Sequence, residues 1–218
     1  PQTSAMWHKV APELSKHYRV ICPDLRGYGA SDKPPGDKDH YNYSKRVMAE
    51  DMITVMDSFG YDQFYVGSHD RGSRVTHRLC LDYPARIIKA AMLDIIPTTT
   101  LYDTATLDVS KIYFHWYFLA QESDLPETMI NAAPLPFLHW ALAGRVGGLG
   151  SVDREALEEY EKYFVDPAVV HATTEDYRAA ATIDLEHDEA DKHKKVQCPL
   201  LVLWGELGPM GSLYDVLE

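Results

Sequence analysis

Two rhythms of apolar and polar positions run along this chain: short apolar runs that read as strands, and longer stretches with helical spacing. Residues 3–15 place Met6, Val10 and Leu14 on one helical face. Tyr18 to Cys22, centred on Val20 and Ile21 and closed by Pro23-Asp24, predicts a buried strand. Leu25 to Asp39 is crowded with Gly, Pro, Asp and Lys and predicts a long loop. Ser44 suits an N-cap; Met48, Met52, Val55, Met56 and Phe59 follow at helical spacing, and Gly60 suits the stop. Phe64 to Gly67 is a second strand, Gly72 opens a helix through Val75 and Leu79, and Ile87 to Leu93 is a third strand closed by Asp94. Leu200 to Trp204 is the fourth. Strands alternating with helices predict an α/β fold around a parallel sheet. The alternation breaks between about 95 and 195, where helical patterns continue without clear strands. That predicts a helical cap of roughly a hundred residues inserted into the core. The expected division is 1–95 core, 96–195 cap and 196–218 the second part of the core.

Composition narrows the class. The chain has 218 residues, 45% hydrophobic and 25% charged, which suits a globular protein and excludes collagen-like, coiled-coil and mostly disordered chains. No apolar run reaches the roughly 18 residues of a membrane span, and no charged segment followed by an apolar one suggests a signal peptide. The net charge of −12 disfavours nucleic acid as a partner. Residues 151–192 alone carry 13 acids against four bases, read as solvated helix faces. Cys22, Cys80 and Cys198 are too scattered for a zinc site or a disulfide framework, and fit reduced thiols in the cytoplasm. No His/Cys cluster has metal-ligand spacing, and no cofactor is expected.

The chemistry concentrates in Val66-Gly67-Ser68-His69-Asp70-Arg71-Gly72-Ser73, between a strand and a helix. Small residues two before and two after a central residue permit a sharp turn that presents its side chain at the carboxyl edge of a sheet. Here that residue is Asp70 rather than the more common Ser. A carboxylate so placed can attack carbon and form an ester with the enzyme. The competing reading is an Asp that caps the helix.

These residues resemble an α/β-hydrolase with a helical cap, and most closely the fluoroacetate (haloacetate) dehalogenases. The run Tyr18-Arg19-Val20-Ile21-Cys22-Pro23-Asp24-Leu25-Arg26-Gly27-Tyr28-Gly29-Ala30-Ser31-Asp32 is similar to the strand and loop that precede the nucleophile in that superfamily. His69-Asp70-Arg71-Gly72 is more specific, because epoxide hydrolases and haloalkane dehalogenases usually have Trp where this chain has Arg71.

Arg71 and Arg74 lie three apart at a helix start, where cations oppose the helix dipole and an anionic partner would offset the conflict. Guanidinium forks match carboxylates, so the partner is a substrate carboxylate or an acid from the cap. The resemblance implies the former. Asp94, at a strand end, is placed to orient a catalytic histidine or else simply to form a turn. The resembled dehalogenases carry their triad acid there; the alternative Trp-Gly-x-x-Asp pattern is broken here as Trp204-Gly205-Glu206-Leu207-Gly208, leaving Glu206 a weak rival. In the cap, the resemblance implies that His115, Trp116 and Tyr177 hold the departing halide. Their pattern alone reads as aromatic helix packing.

The resemblance also implies a His-Gly segment before Pro1 and the triad histidine beyond Glu218, with the Arg71 amide as one oxyanion donor. The sequence is therefore expected to be an excerpt that does not fold stably alone. The function expected is hydrolytic dehalogenation of a small anionic haloacid, with no nucleic-acid or membrane partner; a homodimer is implied by resemblance. An epoxide hydrolase using Tyr113 or Tyr177 as proton donor is the nearest rival, and a non-catalytic ligand-binding relative is the rival from another class.

Overall fold

The computed structural model describes residues 1–143 and 148–214. They form two compact units, one of Pro1–Gly36 with Gln121–Glu175 and one of Asp37–Ala120 with Asp176–Glu218.

The second unit holds a parallel sheet ordered β1 (Phe64–His69), β2 (Ile87–Leu93), β3 (Leu200–Leu203). His69 stands opposite Leu93, and Leu93 opposite Leu203, so all three strands end at one edge. The helix α1 (Lys45–Ser58) starts where Ser44 accepts a hydrogen bond from the Val47 amide at 3.3 Å. It stops before Gly60, whose φ of +76° is the left-handed conformation that suits glycine. The helix α2 (Arg71–Asp82) packs on α1, β1 and β2. Met48, Ala49, Val75, Leu79 and Met92 form the buried core of this arrangement. Each large apolar side chain there contributes roughly 1.5–3 kcal/mol through burial. Among the described residues, Tyr65, Leu201 and Leu203 of the sheet are each about half exposed.

Between β2 and β3 the described residues are helical. They include α3 (Phe114–Leu119), α4 (Leu125–Ala132), α5 (Pro134–Ala143), α6 (Arg154–Phe164), α7 (Pro167–Ala181) and α8 (Ile183–Asp191). In the first unit, Ile130, Leu138, Tyr160, Phe164 and Val170 are buried, with Phe137 stacked on Phe164 at 6.2 Å. The Asp24 carboxylate pins its loop by accepting from the Ser4 amide at 2.5 Å and the Ala30 amide at 2.9 Å. Gly29 is required beside it, because a Cβ there would lie 2.2 Å from Asp24 Oδ2.

Two expected elements differ. Tyr18 to Cys22 forms no strand, and Tyr18 is 54% exposed. A strand is stabilised by its ladder, and among the described residues all ladder pairing lies within β1, β2 and β3. The helix expected over 3–15 is broken into a 3₁₀ turn, Ser4–Trp7, and one short turn, Ala11–Leu14. Pro12 is the physical reason: it lacks an amide hydrogen and its ring collides with the carbonyl four residues back, so it can only begin a helix.

Candidate active site

β1 ends at His69 and α2 begins at Arg71, so Asp70 alone makes the turn between them. Its φ of 47° and ψ of −120° lie outside the wells that side chains favour, a strain of order 1–3 kcal/mol held in place by neighbours. The Asp70 amide donates to the Leu93 carbonyl at 3.3 Å. Its carbonyl accepts from the Ser73 amide at 2.9 Å and the Arg74 amide at 3.3 Å. A hydroxyl stitch supports the turn from beneath. Ser73 Oγ donates to Ser68 Oγ at 3.1 Å and accepts from the Leu93 amide at 3.2 Å, while Ser68 Oγ donates to the Ala91 carbonyl at 3.2 Å. A Cβ at Gly72 would meet Ser68 Cβ at 4.0 Å, an ordinary contact.

The Asp70 side chain makes no capping hydrogen bond to α2. Asp70 thus stands at the N-cap position of α2 without capping it through its side chain. Burial pushes the Asp70 carboxyl up, but the electrostatic pull of His69, Arg71 and Arg74 outweighs it, holding the group below the usual carboxylate value.

Both arginines are buried. Arg74 Nη1 donates to the Ile96 carbonyl at 3.0 Å and to Thr98 Oγ1 at 2.9 Å, and its Nε is buried without a hydrogen-bond partner. Burial, with Arg71 beside it, brings the guanidinium down to about 10, still cationic at neutral pH. Arg71 has a protein partner: Nε donates to Asp176 Oδ2 at 2.7 Å, and Nη2 to Asp176 Oδ1 and the Asp176 carbonyl at 2.8 Å each. One edge of the fork is thus committed to an acid of α7.

The aromatic residues gather on these cations. The Arg71 guanidinium carbon lies 4.2 Å from the centre of the Tyr177 ring and 5.1 Å from that of Trp116; Arg74 lies 4.4 Å from Trp116. Tyr177 meets Trp116 edge-on at 5.5 Å and His115 at 5.8 Å. Burial, reinforced by the charge of Asp70, pushes the Tyr177 hydroxyl well above its ordinary value, so it stays a hydrogen-bond donor. The structure thus brings Asp70, Arg71, Arg74, His115, Trp116 and Tyr177 into one cluster, although His115 and Trp116 lie on α3 and Tyr177 on α7. Asp94 leaves the same sheet edge, since it follows Leu93 as Asp70 follows His69. It too has positive φ, 58°, and its Oδ1 accepts from the Gly205 amide at 3.4 Å. Glu206 lies exposed in the turn after β3.

Three charged residues escaped the sequence reading. Lys45 Nζ donates to Asp176 Oδ1 and, at 3.2 Å, to Asp184 Oδ2; the Lys45 amide donates to Asp184 Oδ1 at 2.8 Å. Burial raises the Asp176 carboxyl, but Arg71 and Lys45 outweigh that and hold it far below the usual range. One signal was present: Asp176 precedes Ala179-Ala180-Ala181, a small-residue run that marks a helix packed closely on its neighbours, where an acid must be paired.

The alpha/beta hydrolase fold family model matches residues 1–218. A fluoroacetate dehalogenase from Burkholderia sp is 46% identical over 217 residues, 99% of this chain and 71% of that protein. The chain belongs to the haloacetate dehalogenase family of alpha/beta hydrolases. A solved structure described as an alpha/beta hydrolase from Nostoc sp PCC 7120 matches this family member with a TM-score of 0.97 at 53% identity, over 100% of this chain and 75% of that one. Epoxide hydrolase 4 from Mus musculus is more distant, 27% identical over 94% of this chain, which spans 56% of that relative. Among the described residues no helix is long and apolar enough to cross a membrane.

Proposed function

We propose that this chain carries the hydrolytic dehalogenation of short 2-haloacids through an ester on Asp70. The observation that carries the reading is a carboxylate on a strained backbone turn, not used in capping its helix, near two buried guanidinium groups and an aromatic cluster rich in N–H and O–H donors. Arg74, together with the part of the Arg71 fork turned away from Asp176, receives the substrate carboxylate. An Asp70 oxygen attacks the carbon that bears the halogen, and the carbon–halogen bond breaks with its electron pair. The halide leaves toward His115, Trp116 and Tyr177, whose polar hydrogens stabilise the charge as it develops. A water, activated by a histidine that Asp94 orients, then attacks the ester carbonyl. This releases the 2-hydroxyacid and restores Asp70. The histidine is implied by the family resemblance. The three cysteines are free, which supports a reducing, cytoplasmic setting.

A neutral epoxide would gain nothing from the arginine pair, which places that substrate second despite the protonated Tyr177. Halide release from chloroacetate and fluoroacetate by the full-length protein, beside Asp70→Asn, tests the proposal. Release by the wild type, lowered at least about a thousandfold in the variant, is expected. Absence of release from both haloacids, with turnover of an epoxide instead, would overturn it.

A further inference from the structure

A buried chain of alternating charges runs from Asp184 through Lys45 and Asp176 to Arg71, each of the four at most 6% exposed. Such a network is costly to desolvate, and well-packed apolar residues would stabilise a core equally well or better. What it provides is geometry. Asp176 grips Arg71 by the Nε–Nη2 edge and by its own backbone carbonyl, which leaves the guanidinium plane little freedom to rotate. Lys45 occupies Oδ1 of the same carboxylate and also reaches the Asp176 carbonyl at 3.4 Å. Asp184 in turn fixes Lys45 at both its amide and its ammonium.

Arg71 has a competing anion one residue away, because Asp70 precedes it. A guanidinium without a second acid would be drawn onto that carboxylate, misplacing the fork and occupying the nucleophile.

We propose that Asp176, clamped by Lys45, is a positioning residue that holds the Arg71 fork off Asp70 and aims it at the substrate carboxylate. This rests on the haloacid reading above, in which Arg71 meets that carboxylate. Asparagine at 176 offers one acceptor oxygen and one amide that faces a donor, so the fork loses its two-point grip. Lys45→Met leaves the grip but frees the carboxylate to move.

The test is KM and kcat for chloroacetate, with the inhibition constant of acetate, a carboxylate that has no leaving group, in the full-length protein. Asp176→Asn is expected to raise KM and the acetate constant together by about tenfold or more. Lys45→Met should raise both by less, and Asp176→Glu should recover part of the loss. A purely structural role would reduce the active fraction, and hence kcat, and leave both constants unchanged. That result in Asp176→Asn would overturn the proposal; if that variant does not fold, the same result in Lys45→Met would do so. A wild type that turns over neither chloroacetate nor fluoroacetate would instead bring down the haloacid reading, and this proposal with it.

Discussion

Asp70 and Asp94 share an unusual backbone, positive φ at a strand end, yet their side chains meet different surroundings. Asp70 lies among cations, while Asp94 accepts from a backbone amide of the turn after β3. The first suits attack and the second suits orienting a base, so losing Asp94 should affect the second half of the reaction most. Asp94→Asn is expected to give one equivalent of halide in a burst, followed by slow turnover, with protein carrying a carboxymethyl adduct detectable by mass spectrometry. Equal slowing of burst and turnover would contradict that role. His77 supplies a test of another kind. Burial, then Arg78 and Arg74, lower its imidazole from 6.5 to about 4. The unfolded chain therefore takes up a proton that the folded one refuses. The stability tied to a neutral His77 is full above pH 6.5 and declines as pH falls toward about 4. Urea unfolding at pH 7 and pH 4 should show a smaller difference in His77→Gln than in the wild type.

At the scale of elements, the active turn depends on how α2 meets the sheet. The hydroxyl of Ser73 links α2 to β1 through Ser68 and to β2 through Leu93, at the place where Asp70 is strained. Ser73→Ala should lower stability by about 1–3 kcal/mol, since buried hydrogen-bonding groups lose a partner, and reduce kcat through a loosened turn. Denaturant unfolding and steady-state kinetics on the same preparation measure both. Unchanged values would mean that the backbone bonds of Asp70 hold the turn unaided. The elements also show where local pattern misleads. Val20 and Ile21 have strand propensity, but propensity without a neighbouring ladder does not make a strand; Met6, Val10 and Leu14 have helical spacing, but Pro12 divides it. Ser44, Gly60 and the β1 and β2 runs were legible because their determinants are local.

For the chain as a whole, a net charge of −12 surrounds the site for which an anionic substrate is proposed. The global field opposes the approach of a haloacid, and the buried arginines act only at short range. Raising ionic strength from about 10 to 150 mM with a non-halide salt should therefore increase kcat/KM for chloroacetate, about twofold, as the repulsion is screened. A decrease would mean that the local cations dominate the approach. The alternation of strands and helices, the small-residue turn around Asp70, the arginine spacing and the helical stretch after Leu93 could all be read along the chain, because each is written in neighbouring residues. What these groups touch emerges from the folded arrangement. The gathering of His115, Trp116 and Tyr177 on Arg71 and Arg74 and the Asp184–Lys45–Asp176–Arg71 chain both join residues distant in sequence. Lys45 and Asp176 stand 131 positions apart. A buried charge takes its partner from wherever the fold brings an opposite charge within reach, and no local pattern carries that information.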